Sequence, residues 1–254
     1  MLNWSVLTLF LLITARMTGF VLFNPLFGRR GIPGMVKAGL ILMLSLTVYS
    51  AAPGQQVQMP STLLGLALIF LLELGLGYIL GLIVNIFFYI PLMAGSVIDM
   101  EMGLAMASTY DPGSGIQVTA TSTLLNVLMT LLFFAANGHL TLIRILLRSG
   151  GLVPYGGVTP GPELYSTVMD IFVNCTVLGV KLCMPILAAE LMGQVGMGII
   201  MKAIPQINVF VINIEVKVIV GLVLILILMT PFSEFLLSVE TEMLYAVERA
   251  LSLM

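Results

Sequence analysis

The stretch LLGLALIFLLELGLGYILGLIVNIFFYIPLM, Leu63 to Met93, carries one charged residue, Glu73, in an otherwise apolar run. As a helix it would reach ~46 Å at ~1.5 Å per residue, against a hydrocarbon core of ~30 Å. It also has an inner order. Glu73, Gly77, Gly81 and Asn85 recur every fourth residue and fall on one narrow helical face. Small and polar residues in such a stripe let helices approach closely and hydrogen-bond across the contact. The run predicts a long membrane-grade helix with one specialised face.

The rest of the chain repeats the pattern. The protein has 254 residues, of which 59% are hydrophobic and only 9% charged. Its mean hydropathy is +1.14. Soluble domains carry roughly 25% charged residues, so this composition belongs to a membrane protein. Apolar stretches over 5–27, 35–52, 62–94, 123–147, 168–200 and 207–238 predict an all-α membrane protein of about six helical segments in a single domain, 1–254. The segments at 168–200 and 207–238 are overlong like the third. Kinked hairpins, or helices that leave the bilayer, would accommodate such lengths.

Breaks fall at GRRGIPG (28–34), APGQQVQMP (52–60), GLAMASTYDPGSGIQVTATSTL (103–124) and GGLVPYGGVTPGPE (150–163). The third break puts a Gly-rich polar loop between the third and fourth segments. The loops of six spans divide four basic residues (Arg29, Arg30, Lys37, Lys202) from three (Arg144, Arg148, Arg249), which decides no orientation.

Several function classes drop out. A net charge of -2 offers no basic field for nucleic acid. The N-terminus lacks a positive n-region and has Arg16 inside its apolar stretch, unlike a cleavable signal peptide. Cys175 and Cys183 have neither metal nor redox spacing and read as packing residues. His139 is the single histidine, so no histidine-based metal site is expected, and no cofactor motif is present. There is no HExxH, no GxSxG and no phosphate-binding glycine loop. Asp99 and Glu101, in DMEMG, lack the context of an intramembrane aspartyl protease. An enzyme is not expected.

Ionisable groups lie well inside the apolar segments: Arg16, Glu73, Lys181, Glu190, Glu215 and Lys217. Each would cost ~2.5–3.5 kcal/mol at a bilayer centre, so most must face protein or water. Further stripes follow helical spacing. Ser5, Thr8, Ala15 and Gly19 share a face of the first segment. Asn126, Thr130, Asn137, Thr141, Arg144 and Arg148 do so on the fourth, and Asp170, Asn174 and Lys181 on the fifth. These stripes pack this chain's own bundle, or also form joints with other subunits, or line a watery path. Glu73, Lys181 and Glu190 read as structural ion-pair members or as a transporter's proton relay. Lys181 and Glu190 are too far apart on one helix to pair with each other. Between Ile212 and Val218 apolar and polar residues alternate, fitting a strand as well as a helix, with a helix start after Pro205 favoured.

Four stretches in this order, ARMTGFVLFNPLFGRRGIPGMVKAGL (15–40), DMEMGLAMASTYDPGSG (99–115), FFAANGHL (133–140) and PQINVF (205–210), resemble the FliR/SctT family of type III secretion export-gate subunits. The resemblance covers nearly the whole chain and leans flagellar on the DPGSG and PQINVF wording. It implies a P-like part followed by a Q-like part. It implies assembly with the P and Q subunits, association of the B subunit, and passage of unfolded secreted proteins across the bacterial inner membrane at the flagellar basal body. It also implies that the loop Met106–Ser122 lies in the closed pore as a plug, including Met106, Tyr110, Asp111, Pro112, Gly113, Ser114, Gly115 and Gln117. The residues suit that role, since the glycines give backbone freedom and the hydroxyls tolerate water without a fixed charge. Met93, Met100, Met102 and Met106 offer adaptable side chains for a seal. Read without the resemblance, the same stretch is equally a solvent-exposed connecting loop. The expected inter-helix or inter-subunit contacts are Arg16, Glu73, Gly77, Gly81, Asn85, Asn126, Asn137, Lys181, Glu190, Asn208 and Lys217. The alternative function is an ion-coupled secondary transporter using Glu73, Asp99, Glu101 and Lys181.

Overall fold

The computed structural model describes residues 4–51, 62–111, 116–159, 161–203 and 209–254. Eight α-helices are described: α1 (Trp4–Phe23), α2 (Gly34–Ala51), α3 (Leu63–Glu101), α4 (Ala120–Ala135), α5 (Gly138–Leu152), α6 (Pro162–Ala203), α7 (Val209–Ile227) and α8 (Met229–Ser252). Four of them, α1, α2, α3 and α6, are each long and apolar enough to cross a membrane. Six spans result if each of two bent pairs, α4 with α5 and α7 with α8, counts as one. The expectation of six segments and kinked hairpins therefore holds.

The long helices are longer than the apolar runs foretold. α3 has 39 residues and α6 has 42, or ~58 and ~63 Å at 1.5 Å per residue. α3 continues past Met93 to Glu101, because Asp99 finds partners and does not end the helix. Pro91 and Pro185 sit inside these helices. Each removes one backbone donor, and neither ends its helix.

The bends have local causes. α4 and α5 meet at 65°. Between them Asn137 adopts φ 60°, a left-handed conformation that a continuing helix cannot contain. α7 and α8 meet at 61°. Pro231, in the first turn of α8, has no N–H for the carbonyl of Ile227, so the ladder breaks there. Residues 212–218 belong to α7, which answers the strand-or-helix question in favour of helix. Glu215 and Lys217 consequently leave the helix in different directions.

α1 packs most intimately on α3. Gly19 leaves room for the backbone between Leu74 and Tyr78, and Gly77 for that between Arg16 and Phe20. A Cβ on Gly81 would lie 3.0 Å from the carbonyl oxygen of Phe20. The small-residue stripe read from α3 is thus a close-approach face within this chain. Gly95 does the same against the backbone of Ser122, joining α3 to α4. Phe20, Phe87, Phe133, Leu12 and Ile13 are buried around this centre, and Phe88 meets Phe133 edge-on at 5.8 Å.

Elsewhere the chain leaves apolar surface open. Only 11% of the apolar window of α2 and 28% of that of α6 is buried, against 56% for α1. Leu63, Leu64, Met192 and Leu226 are all more than two-thirds exposed. Lipid or other chains must cover such surface.

The described residues of the polar stretch after α3 carry regular structure. A 3-10 turn (Leu104–Ala107) follows Gly103, which has φ 78°. Strands β1 (Thr109–Asp111) and β2 (Ile116–Val118) then pair antiparallel, with Thr109 opposite Val118 and Asp111 opposite Ile116. Pro112, Gly113, Ser114 and Gly115 lie outside the described residues.

Candidate functional site

Three polar nodes are built between the helices. The first is the most enclosed. Arg16 of α1 and Glu73 of α3 are both fully buried, with Arg16 Nε donating to Glu73 Oε2 at 2.7 Å. Arg16 also donates to Ser149 Oγ and to the carbonyl of Val153, each at 3.1 Å. Its guanidinium carbon lies 4.2 Å from the centre of the Tyr155 ring, a cation–π distance. Glu73 Oε1 accepts from the backbone N–H of Gly156 at 2.8 Å. Burial pushes the Tyr155 hydroxyl above its ordinary range, against an opposing pull from Arg16. The phenol therefore stays neutral and keeps its ring face toward the cation. This node ties α1 and α3 to the end of α5 and the turn after it. A buried pair in which both groups make further hydrogen bonds is the arrangement in which burying charge is tolerable.

The second node governs the start of α4. Asp99, fully buried on α3, accepts from the backbone N–H of Thr121 at 2.8 Å and from its hydroxyl at 2.5 Å. The Thr119 N–H donates to Ser122 Oγ at 2.9 Å. A carboxylate at a helix N-terminus satisfies orphan donors and complements the helix dipole. Asp99 is thus a cap supplied from a neighbouring helix.

The third node joins α3, α6 and α7. Gln194 Nε2 donates to Glu101 Oε2 at 3.2 Å, and Lys217 Nζ to the Glu101 carbonyl at 3.3 Å. Glu190, one turn before Gln194, is buried and within electrostatic reach of Lys217 and Glu101. Its Oε1 has no partner among the described residues. Met102 packs beside this node against Gly221 and is fully buried.

Within this chain Arg16 meets Glu73 across α1 and α3, Gly77 and Gly81 pack on α1, and Glu190 lies within electrostatic reach of Lys217. Asn85 donates to the Phe23 carbonyl at 3.4 Å. Asn85 and Asn126 line one cavity between α3, α4 and the α1–α2 turn.

Among the described residues, other expected ones make no inter-helix contact of this kind within the chain. Asn137 is exposed and makes the bend between α4 and α5. The stripe from Asn126 to Arg148 is accordingly split over two helices. Lys181 is exposed, and no ion pair holds it among the described residues. Its stripe mates Asp170 and Asn174 line a cavity with Glu242, Tyr245 and Arg249 of α8. Asn174 hydrogen-bonds Glu242 there. Of the supposed sealing methionines, Met102 is internal and Met93 packs on Gly179. Met100 is 64% exposed. Asn208 lies outside the described residues.

Of the loop residues, Met106 belongs to the 3-10 turn, Tyr110 and Asp111 to β1, and Gln117 to β2 with an exposed side chain. Sequence reasoning missed Ser149, Val153, Tyr155 and Gly156 as partners of the buried pair. Their signal was weak, because two of the contacts use backbone atoms that any residue carries.

Comparison with known proteins gives a consistent picture. A family model described as bacterial export proteins, family 1, matches residues 7–243. The flagellar biosynthetic protein FliR of Escherichia coli is 29% identical over 245 residues, covering 93% of this chain and 90% of that protein. FliR of Bacillus subtilis is 25% identical over 243 residues, covering 91% and 92%. The surface presentation of antigens protein SpaR of Salmonella typhimurium is 24% identical over 219 residues, covering 85% and 81%.

Proposed function

The chain belongs to the bacterial export proteins, family 1, and on that premise we propose that it is a structural subunit of the flagellar type III protein export gate. In this reading it lines the pore, passes unfolded flagellar substrates across the inner membrane, and catalyses no reaction. It works at the basal body with the P and Q subunits, and the B subunit associates with that assembly. The observation that carries the reading is near-full-length similarity to proteins named for flagellar biosynthesis.

The geometry is compatible with a loop that closes the pore. The segment between α3 and α4 is held firmly at both flanks. Met102 is buried against Gly221 on one side, and Asp99 grips Thr121 on the other. Its exposed Gln117 carries no charge. Two short paired strands between anchored flanks suit a plug that moves aside and returns. The large open apolar surface of α2 and α6 supports life in a multi-subunit membrane assembly.

The transporter reading has less to work with. Glu73 is engaged by Arg16 and Gly156, and Asp99 by Thr121. Lys181 faces outward.

The test removes residues 109–118 and measures ion leak across membranes of cells assembling the complex, with pull-down of the partner subunits as the assembly check. Assembly with leak supports the plug. Assembly with a tight membrane overturns it. Transport of a small solute by the purified single chain would instead support the alternative.

A further inference from the structure

A cationic cavity of about 260 Å³ lies beside the turn joining α1 to α2. Arg29 and Arg30 line it from the turn, Asn85 from α3, and Asn126 and Thr130 from α4. Both arginines are exposed, and no carboxylate pairs with either among the described residues. No acidic side chain lines the cavity. Asn24, 1% exposed, is also in its wall. Its Oδ1 accepts from Leu26 and Phe27, while its Nδ2 has no partner among the described residues. Among the described residues the Asn85 amide has only its long bond to Phe23. The guanidinium forks of Arg29 and Arg30 and the exposed Asn85 amide beside one space suit an anion with several acceptor oxygens, and phosphate fits that description.

A second space adjoins the first. Between α3 and α6 an apolar groove of about 360 Å³ is walled by Ile86, Ile90, Met93, Phe172 and Cys175. Asn85 and Tyr89 line both spaces, so they meet at these two residues. A free anion would leave the groove unused, and an apolar chain would leave the arginines unused. The turn that carries Arg29 and Arg30 also joins two helices of membrane-spanning length. Basic residues at such ends lie where lipid headgroups are found.

We infer that this chain binds one anionic phospholipid here, with its phosphate at Arg29, Arg30, Asn85 and Asn126 and an acyl chain in the α3–α6 groove. The reading does not depend on the plug.

The test uses the full-length chain, extracted from membranes in mild detergent with the subunits that co-purify, then delipidated. Phosphatidylglycerol, phosphatidylcholine and glycerol 3-phosphate are the probes, and native mass spectrometry is the readout. One phosphatidylglycerol should be retained, about tenfold more tightly than phosphatidylcholine. R29Q/R30Q should lose about that preference, and Ile86→Trp, which fills the groove, should reduce retention of both lipids. Equal retention of the two lipids by the unaltered chain overturns the site. So does an unchanged preference in R29Q/R30Q. Displacement of the lipid by equimolar glycerol 3-phosphate would leave an anion site without an acyl groove and overturn the proposal. Loss of a co-purifying subunit from R29Q/R30Q with lipid binding intact would assign the arginines to a protein partner instead.

Discussion

Arg16 on α1 and Glu73 on α3 form a fully buried ion pair at 2.7 Å, and each keeps further hydrogen bonds to the turn after α5. The pair therefore binds three parts of the chain that are remote in sequence. Its function is a clamp, because neither group can leave without stranding the other.

Removing one partner should cost more than removing both. Arg16→Met leaves the Glu73 carboxylate buried with only the Gly156 N–H, at a cost of about 3–5 kcal/mol. The double change R16M/E73M should recover a large part of that loss. Thermal unfolding in detergent of the three variants decides the matter. Single-variant losses that simply add in the double would contradict the clamp.

Asp99 should matter as an acceptor more than as a charge. Asp99→Ala removes both bonds to Thr121 and should destabilise by about 1–2 kcal/mol. Asp99→Asn keeps an acceptor and should lose less, chiefly the charge term with the helix dipole. Hydrogen exchange at the Thr121 amide reads this directly. Unchanged protection in Asp99→Ala would remove Asp99 from its capping role.

Two neighbouring glycines on α3 should respond in opposite directions. Gly77→Ala drives a Cβ into the backbone of α1 at Arg16, where no flexible side chain can yield. A loss of at least ~1–3 kcal/mol follows. Gly75 has nothing within 4 Å of an added Cβ, so Gly75→Ala should gain about 0.5–1 kcal/mol of helix stability. Equal responses in a melting comparison would mean that α1 and α3 do not pack as described.

Asn137 tests the α4–α5 bend. Its φ of 60° suits glycine and strains most other residues. Asn137→Gly should be close to neutral, while Asn137→Ala should cost about 1 kcal/mol. An alanine variant as stable as the parent would imply that the bend has another cause.

The bends also show where local pattern stopped being informative. A polar stripe at helical spacing from Asn126 to Arg148 reads as one continuous face, yet one left-handed residue divides it at 65°. Asparagine enters that conformation without announcing it, since the same residue also sits in helices. The Glu73 stripe was legible because glycines at four-residue intervals have few uses other than close approach, and that is their use here. For the methionines near residue 100, softness says nothing about location. Met102 is internal and Met100 is exposed, two residues apart.

What the sequence determined alone is the material and its division: apolar helices of membrane length, the face on α3 that meets another helix, and the polar interruption before α4. Those follow from composition and periodicity, which act along the chain and are visible in it. Only the tertiary structure decided the partners of the buried charges. Arg16 meets Glu73 and the carbonyl of Val153, Asp99 caps α4, and Lys181 is left outward. A buried charge needs a partner within about 3 Å, but it does not specify from which helix or from which backbone atom. Packing brings those atoms together across many tens of residues, and no local pattern records that distance.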